Sequence, residues 1–205
     1  MYIAVVNYNM GNIKSVENAF KKIGAEVRVT SDSKVIDSSD GIVLPGVGAF
    51  KDAVKNLKNL NLLQTVKENA GKKLFLGICL GMQLLFEHSM EDGKSEGLGI
   101  FEGISEKIPA GVKIPHMGWN QINIVNRRSR IFSGIDSGEN FYFVHSYHVI
   151  PKDKNIISSV TDYGTDIVSS IEYENIYGVQ FHPEKSSSRG LVLLGNFWDM
   201  VRGKE

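Results

Sequence analysis

A single cysteine, Cys79, stands between an apolar stretch of strand character, residues 73–78, and a second apolar stretch, residues 80–88, that reads as a helix. Gly77 and Gly81 flank it in the pattern G-x-C-x-G. This spacing suits a nucleophile elbow, a sharp strand-to-helix turn that lifts a reactive side chain, here with a thiol where many hydrolases carry serine. Glycine is needed two residues away because side chains there would clash in so tight a turn. The thiolate is the reactive form, and a helix N-terminus favours it through the helix dipole and free N–H groups. A free cysteine outside such a setting is more commonly a small buried hydrophobe. The elbow is what points to chemistry.

Two further segments supply partners for a thiol. Residues 177–188, YGVQFHPEKSSS, carry His182 and Glu184 on either side of Pro183. Proline pushes His182 into extended backbone, and two residues apart in extended chain put both side chains on one side. A nucleophile, a histidine base and a carboxylate that orients the histidine make a triad. Taken alone, H-x-E equally describes a strand-end histidine beside a solvated glutamate. Residues 45–50, PGVGAF, follow a predicted strand. Their glycines let the backbone approach a ligand, and their N–H groups can point at an anion. Alone this is an ordinary βα turn. Beside a cysteine elbow it is a candidate oxyanion-hole donor, with the Leu80 amide as the other. Gln83, one helical turn after Cys79, reaches the same pocket.

The elements that must position these residues follow from hydrophobic periodicity. Strands are expected at residues 2–7, 26–30, 41–44 and 73–78, and helices at 11–23, 49–57, 61–69 and 80–88. Alternation of this kind predicts a parallel, doubly wound α/β sheet. The second half is β-rich, with strands expected at 114–125, 141–150, 156–161, 167–173 and 176–181, spaced like hairpins or a meander, before a closing helix at 186–201. Residues 88–99 read as a polar, glycine-containing loop and the best candidate for a mobile segment. There is no linker, repeat or low-complexity tract, so one domain spanning 1–205 is expected, α/β with an antiparallel extension.

Composition narrows the function further. Lys+Arg and Asp+Glu both number 23, so no basic excess exists to attract nucleic acid or anionic lipid. One cysteine forms no internal disulfide and fits a reducing compartment. No secretory signal or membrane-length apolar run is evident, and a cytoplasmic location is expected. One cysteine and five scattered histidines offer no zinc spacing, and no GxxxxGK[ST] phosphate loop occurs. No cofactor or metal is expected.

PGVGAF, GICLGMQLLFE, PHMGWN, FYFVHSYH, YGVQFHPEKSS and GLVLLGNF occur together and in order. In this the chain resembles the class I (triad) glutamine amidotransferases, and within them the glutaminases of imidazole glycerol phosphate synthases. GICLG and HPE mark only the class, whereas PGVGAF, PHMGWN and HPEKSS are more selective. The resemblance spans nearly the whole chain and shows no departure at the catalytic positions. It implies Cys79 as nucleophile, His182 as general base and acid, Glu184 as orienter, and the Val47 and Leu80 amides as oxyanion hole. It implies glutamine contacts from Gly48, Gln83 and the backbone of Ser146 and Tyr147, with His145 and His148 in the pocket or in packing. It also implies a heterodimer with a (β/α)8-barrel cyclase that receives the ammonia, touched by Asn12, Trp119 and Lys185. From sequence alone Trp119 equally suits a core aromatic. Val47 lies between two glycines, so its peptide can reorient at low cost, which predicts low activity alone and stimulation by the liganded partner. A stand-alone cysteine hydrolase, such as a peptidase or γ-glutamyl hydrolase, would share the triad but need an open cleft.

Overall fold

The opening apolar residues form β1 (Ile3–Val6), buried on both faces, followed by the amphipathic helix α1 (Ile13–Lys22). Then come β2 (Val27–Thr30), a short helix α2 (Ser33–Asp37) capped by the Asp32 carboxylate, and β3 (Gly41–Gly46). Helices α3 (Phe50–Asn59) and α4 (Leu63–Asn69) lead to β4 (Leu74–Cys79). After the turn at Cys79 come α5 (Leu80–Gln83), β5 (Phe86–Ser89), β6 (Ser95–Glu96) and β7 (Phe101–Lys107). The second half continues through β8 (His116–Gln121), β9 (Asn123–Ile124), β10 (Asn140–His145) and β11 (Tyr147–Pro151). It closes with β12 (Ile157–Asp162), β13 (Asp166–Tyr173), β14 (Ile176–Val179) and α6 (Ser187–Val201). This is a computed structural model, and it describes residues 1–204.

The main sheet has eight strands in the order β2-β1-β3-β4-β14-β13-β12-β9. The first five are parallel and the rest antiparallel. Period-two alternation sends Ala4 and Val6 into one apolar layer, with Leu44, Phe50 and Leu57, and Ile3 and Val5 into the other, with Phe20, Leu194 and Phe197. Both faces are therefore covered, as a parallel sheet requires. The expected α/β class holds, and the antiparallel extension is the β12–β14 meander. Its last strand, β14, inserts parallel beside β4 with Val179 opposite Ile78.

Two expectations are corrected. The helix predicted over residues 80–88 is a single turn, α5, after which the chain becomes β5. The cause is competition for carbonyls. Leu84, Leu85 and Phe86 accept backbone bonds from Leu98, Ile100, Phe101 and Gly99 instead of from their own helix. A short apolar run does not distinguish a buried helix from a buried strand. The loop expected at 88–99 is irregular over most of its length but is closed into a hairpin by the ends of β5 and β6, part of a four-stranded sheet with β7 and β11. The short α2 and the strand β7 were not anticipated from periodicity.

Candidate active site

Three neighbouring parallel strands, β3, β4 and β14, end at the same edge of the sheet. Gly46 lies opposite Cys79, and Val179 opposite Ile78. The residues that follow these strand ends therefore meet, and the carboxyl edge is where open α/β sheets bind ligands.

Cys79 occupies the elbow with φ +53° and ψ −110°. A non-glycine residue in this region is strained and is held there only by its surroundings. Both flanking glycines are obligatory. A Cβ on Gly81 would overlap the Leu44 carbonyl oxygen, and one on Gly77 would sit 2.7 Å from the Gly81 carbonyl oxygen. On the adjoining strand, a Cβ at Gly46 would lie 2.6 Å from the Tyr8 hydroxyl, which donates to the Pro45 carbonyl at 2.7 Å. With only four residues in α5, the helix-dipole contribution expected for the thiolate is that of a single turn.

His182 and Glu184 lie within the bend after β14. Nδ1 of His182 is 2.8 Å from Oε1 of Glu184, and both side chains are almost fully buried. The bend at Pro183, a 3-10 turn, is what brings the carboxylate round to the ring. The His182 backbone is clamped to β10. Its N–H donates to the Tyr142 carbonyl at 2.8 Å, while Ser186 Oγ donates to the His182 carbonyl and accepts from the Tyr142 N–H. Burial alone would lower the His182 pKa, but the Cys79 sulfur and the Glu184 carboxylate outweigh it and carry it up to about 10. The ring is thus an imidazolium at neutral pH. Nε2 is buried without a hydrogen bond of acceptable geometry, although Cys79 is close enough to govern the ring's proton affinity. Catalytic hydrogen bonds are commonly loose before substrate binds and tighten in the complex.

Beside the thiol is a cavity of about 250 Å³. Val47, Gly48, Cys79, Leu80, Gln83, Ser146 and Tyr147 all line it, so every residue expected in the oxyanion hole or against glutamine reaches one space. Gly48 has φ +104°, a conformation that favours glycine. Both lone pairs of the Tyr147 carbonyl are taken, by Gln83 Nε2 and by His145 Nδ1, each at 2.9 Å. Because that carbonyl only accepts, His145 carries its proton on Nδ1, its Nε2 accepts from His116 Nδ1 at 3.0 Å, and His116 Nε2 accepts from Asn120 at 3.2 Å. Burial holds both rings neutral, lowering His116 to about 4 and His145 to about 3. His148 is buried with neither ring nitrogen hydrogen-bonded, in keeping with packing.

Glu91 and Gln180 belong to the site and were not singled out from sequence. Glu91, in the β5–β6 turn, is the only carboxylate among the described residues that lines the cavity, and its Oε2 accepts from the Phe50 N–H at 2.7 Å. Its segment reads as a loop, which gave no reason to place it here. Gln180 is fully buried and donates to Cys79 Sγ at 3.5 Å. Its signal was its position two residues before His182.

The three residues expected at a partner surface lie differently. Trp119 is 55% exposed, beside Met117 at 61%, so it is no core aromatic. It meets Tyr142 edge-on, and the exposed Lys185 stands over the Tyr142 ring at 5.8 Å. Asn12 is half-buried, and its amide reaches Glu184 Oε1 at 3.4 Å. A larger cavity, about 850 Å³, is lined by Arg127, Arg128 and α6 residues and contains none of the triad. No group of three or more His, Cys, Asp or Glu side chains among the described residues is arranged to hold a metal ion, and no helix is long and apolar enough to cross a membrane.

Residues 4–200 match the family described as glutamine amidotransferase class-I. The chain is 51% identical to "Imidazole glycerol phosphate synthase subunit HisH" of Aquifex aeolicus, over 96% of each chain. It is 47% identical to the protein of the same name in Moorella thermoacetica, over 98% of this chain and 95% of that one. Among solved structures it is similar to PurLQS from Thermotoga maritima, with TM-score 0.74 and 18% identity over 98% and 97% of the two chains. It is also similar to the glutaminase domain of Trypanosoma brucei CTPS, with TM-score 0.72 and 19% identity over 100% and 95%.

Proposed function

This chain belongs to the glutamine amidotransferase class-I family, and we propose that it is the glutaminase subunit of an imidazole glycerol phosphate synthase, supplying ammonia from glutamine in histidine biosynthesis. The observation that carries the chemistry is the buried His182–Glu184 pair beside a strained cysteine, opening on a cavity suited to one free amino acid. At about 250 Å³ the cavity is small for the extended peptide that a stand-alone peptidase would take.

The residues divide the reaction as follows. The Cys79 thiolate attacks the side-chain carbonyl carbon of glutamine, forming a C–S bond and placing negative charge on the carbonyl oxygen. The amide N–H groups of Leu80 and Val47 receive that charge; losing one such donor typically costs about a hundred- to a thousandfold in rate. His182, already protonated, gives its proton to the amide nitrogen, the C–N bond breaks and ammonia leaves. The neutral ring then takes a proton from water, which displaces the thiolate from the glutamyl thioester and yields glutamate. Glu184 holds the ring and stabilises its charge throughout. Gly48, Gln83 and the Ser146–Tyr147 backbone hold the substrate, and Glu91 is placed to pair with its ammonium group.

The proposed partner is a (β/α)8-barrel cyclase in a heterodimer, which takes the ammonia to make imidazole glycerol phosphate and an aminoimidazole carboxamide ribotide. Trp119 and Lys185 present the surface, with Asn12 beneath it against Glu184. Ammonia release should be slow in the isolated chain and rise strongly with the liganded cyclase. Cys79→Ala should abolish glutamine-dependent synthesis while the complex still uses ammonium. Equal turnover of glutamine with and without the cyclase, or loss of ammonium-dependent synthesis in the Cys79 variant, would contradict this division of labour.

A further inference from the structure

Gln180 directly follows β14 and is fully buried, with its backbone N–H bound to the Ser169 carbonyl at 2.9 Å. Its side chain ends a short relay. Gln83 Nε2 donates both to the Tyr147 carbonyl at 2.9 Å and to Gln180 Oε1 at 3.0 Å, and Gln180 Nε2 donates to Cys79 Sγ at 3.5 Å. The direction of this relay follows from its far end. The Tyr147 carbonyl can only accept, so the Gln83 group against it is the NH₂. The second hydrogen of that NH₂ requires an acceptor, which fixes Gln180 with its oxygen toward Gln83 and its NH₂ toward sulfur. With either amide turned over, two donors or two acceptors would face one another in a buried site.

We propose that Gln180 is a positioning residue that presents an oriented amide N–H to the Cys79 thiolate, locked in direction by Gln83 and the Tyr147 carbonyl. The inference rests on Cys79 being the nucleophile. It explains why an uncharged, fully buried side chain occupies this spot. Besides His182, the sulfur has the Val144 carbonyl at 3.9 Å, which can accept from a thiol but offers nothing to a thiolate. Gln180 does the opposite and adds a fixed, uncharged donor to the charge of the nearby His182. A second consequence concerns Gln83. Both hydrogens of its amide are engaged within the protein, so it can serve glutamine only as an acceptor through Oε1.

Cys79 is the only cysteine of the chain, so alkylation by iodoacetamide reports on it alone. Gln180→Met keeps the length of the side chain and removes the donor. Gln180→Glu keeps the shape and places a carboxylate against the sulfur. In variants shown by circular dichroism to be folded, the alkylation profile should move to higher pH. On the limb where the rate still rises with pH, it should fall about tenfold for Gln180→Met, the loss expected for one hydrogen bond to a charged group, and further for Gln180→Glu. In the cyclase complex, kcat should fall with KM for glutamine little changed. Gln83→Leu, which leaves Gln180 in place but frees its amide to turn, should move the profile the same way by less, and it replaces the Gln180 variants if they do not fold. A wild-type alkylation profile in any folded variant would overturn the proposal and leave the nucleophile reading intact. Glutamine hydrolysis surviving in Cys79→Ala would instead remove the nucleophile reading itself.

Discussion

At the scale of single residues, the site separates charge from orientation. His182 is charged because Cys79 and Glu184 overcome its burial, whereas His145, which lines the cavity, and His116, hydrogen-bonded to it, are kept neutral by burial. Glu184→Gln removes the charge but keeps the shape. Its glutaminase rate in the complex should fall by about a hundredfold or more, yet less than in Cys79→Ala. The alkaline limb of kcat/KM should also move to lower pH, because the imidazolium loses one of its two stabilising neighbours. An unchanged limb would mean that Glu184 does not set the proton affinity of the ring. Glu91→Gln keeps an acceptor for the Phe50 N–H but removes the charge facing the cavity. It should raise KM for glutamine about tenfold with kcat nearly unchanged, the pattern of lost ground-state binding. The placement of Cys79, His182 and Glu184 was legible in the sequence because each sits in a short motif whose backbone geometry proline or glycine dictates. Glu91 and Gln180 were not, because their roles depend on which distant strand ends come together.

At the scale of elements, the site is the shared edge of β3, β4 and β14. The elbow is a packing solution as much as a catalytic one, since α5 passes so close to β3 that Gly81 touches the Leu44 carbonyl. Gly81→Ala must therefore push the two apart. It should cost about 2 kcal/mol or more in denaturant unfolding and remove activity, whereas Gly195→Ala, in α6 with open space around it, should leave activity intact. Equal activity in the two variants would refute the tight elbow. The parallel half of the sheet was readable because strands alternate with amphipathic helices over residues 2–78. The segment after Cys79 was not, because Leu84, Leu85 and Phe86 give their carbonyls to residues 98–101, contacts that local periodicity does not record. β14 is the other instance. Its apolar pattern marks a strand, but nothing local shows that it pairs antiparallel with β13 on one side and parallel with β4 on the other.

At the scale of the whole molecule, two surfaces meet in β8 and β10. One carries Trp119 and Tyr142 outward, and the other carries the His116–His145 relay to the pocket wall. Trp119→Ala should change unfolding free energy by no more than about 0.5 kcal/mol, yet weaken cyclase binding about tenfold or more, measured by titration calorimetry. Unchanged affinity would place the partner elsewhere. The neutral histidines also predict acid sensitivity. Their pKa values are lower in the folded chain than in the unfolded one, so from about pH 6.5 down to 4 the unfolded state binds more protons and stability falls with pH. His182 has the opposite sign and keeps its proton over this window, so it adds nothing to that loss. The fall in Tm between pH 7 and 4.5 should be shallower in His116→Gln; parallel curves would exclude the relay as its source. What unites these scales is the proposal that Cys79 carries the glutamyl group while ammonia departs. The direct measurement is mass spectrometry of the cyclase complex, acid-quenched during turnover of glutamine. A glutamyl adduct on the peptide containing Cys79, absent in Cys79→Ala, is the predicted result. Turnover without any adduct on Cys79, or persisting in Cys79→Ala, would contradict it.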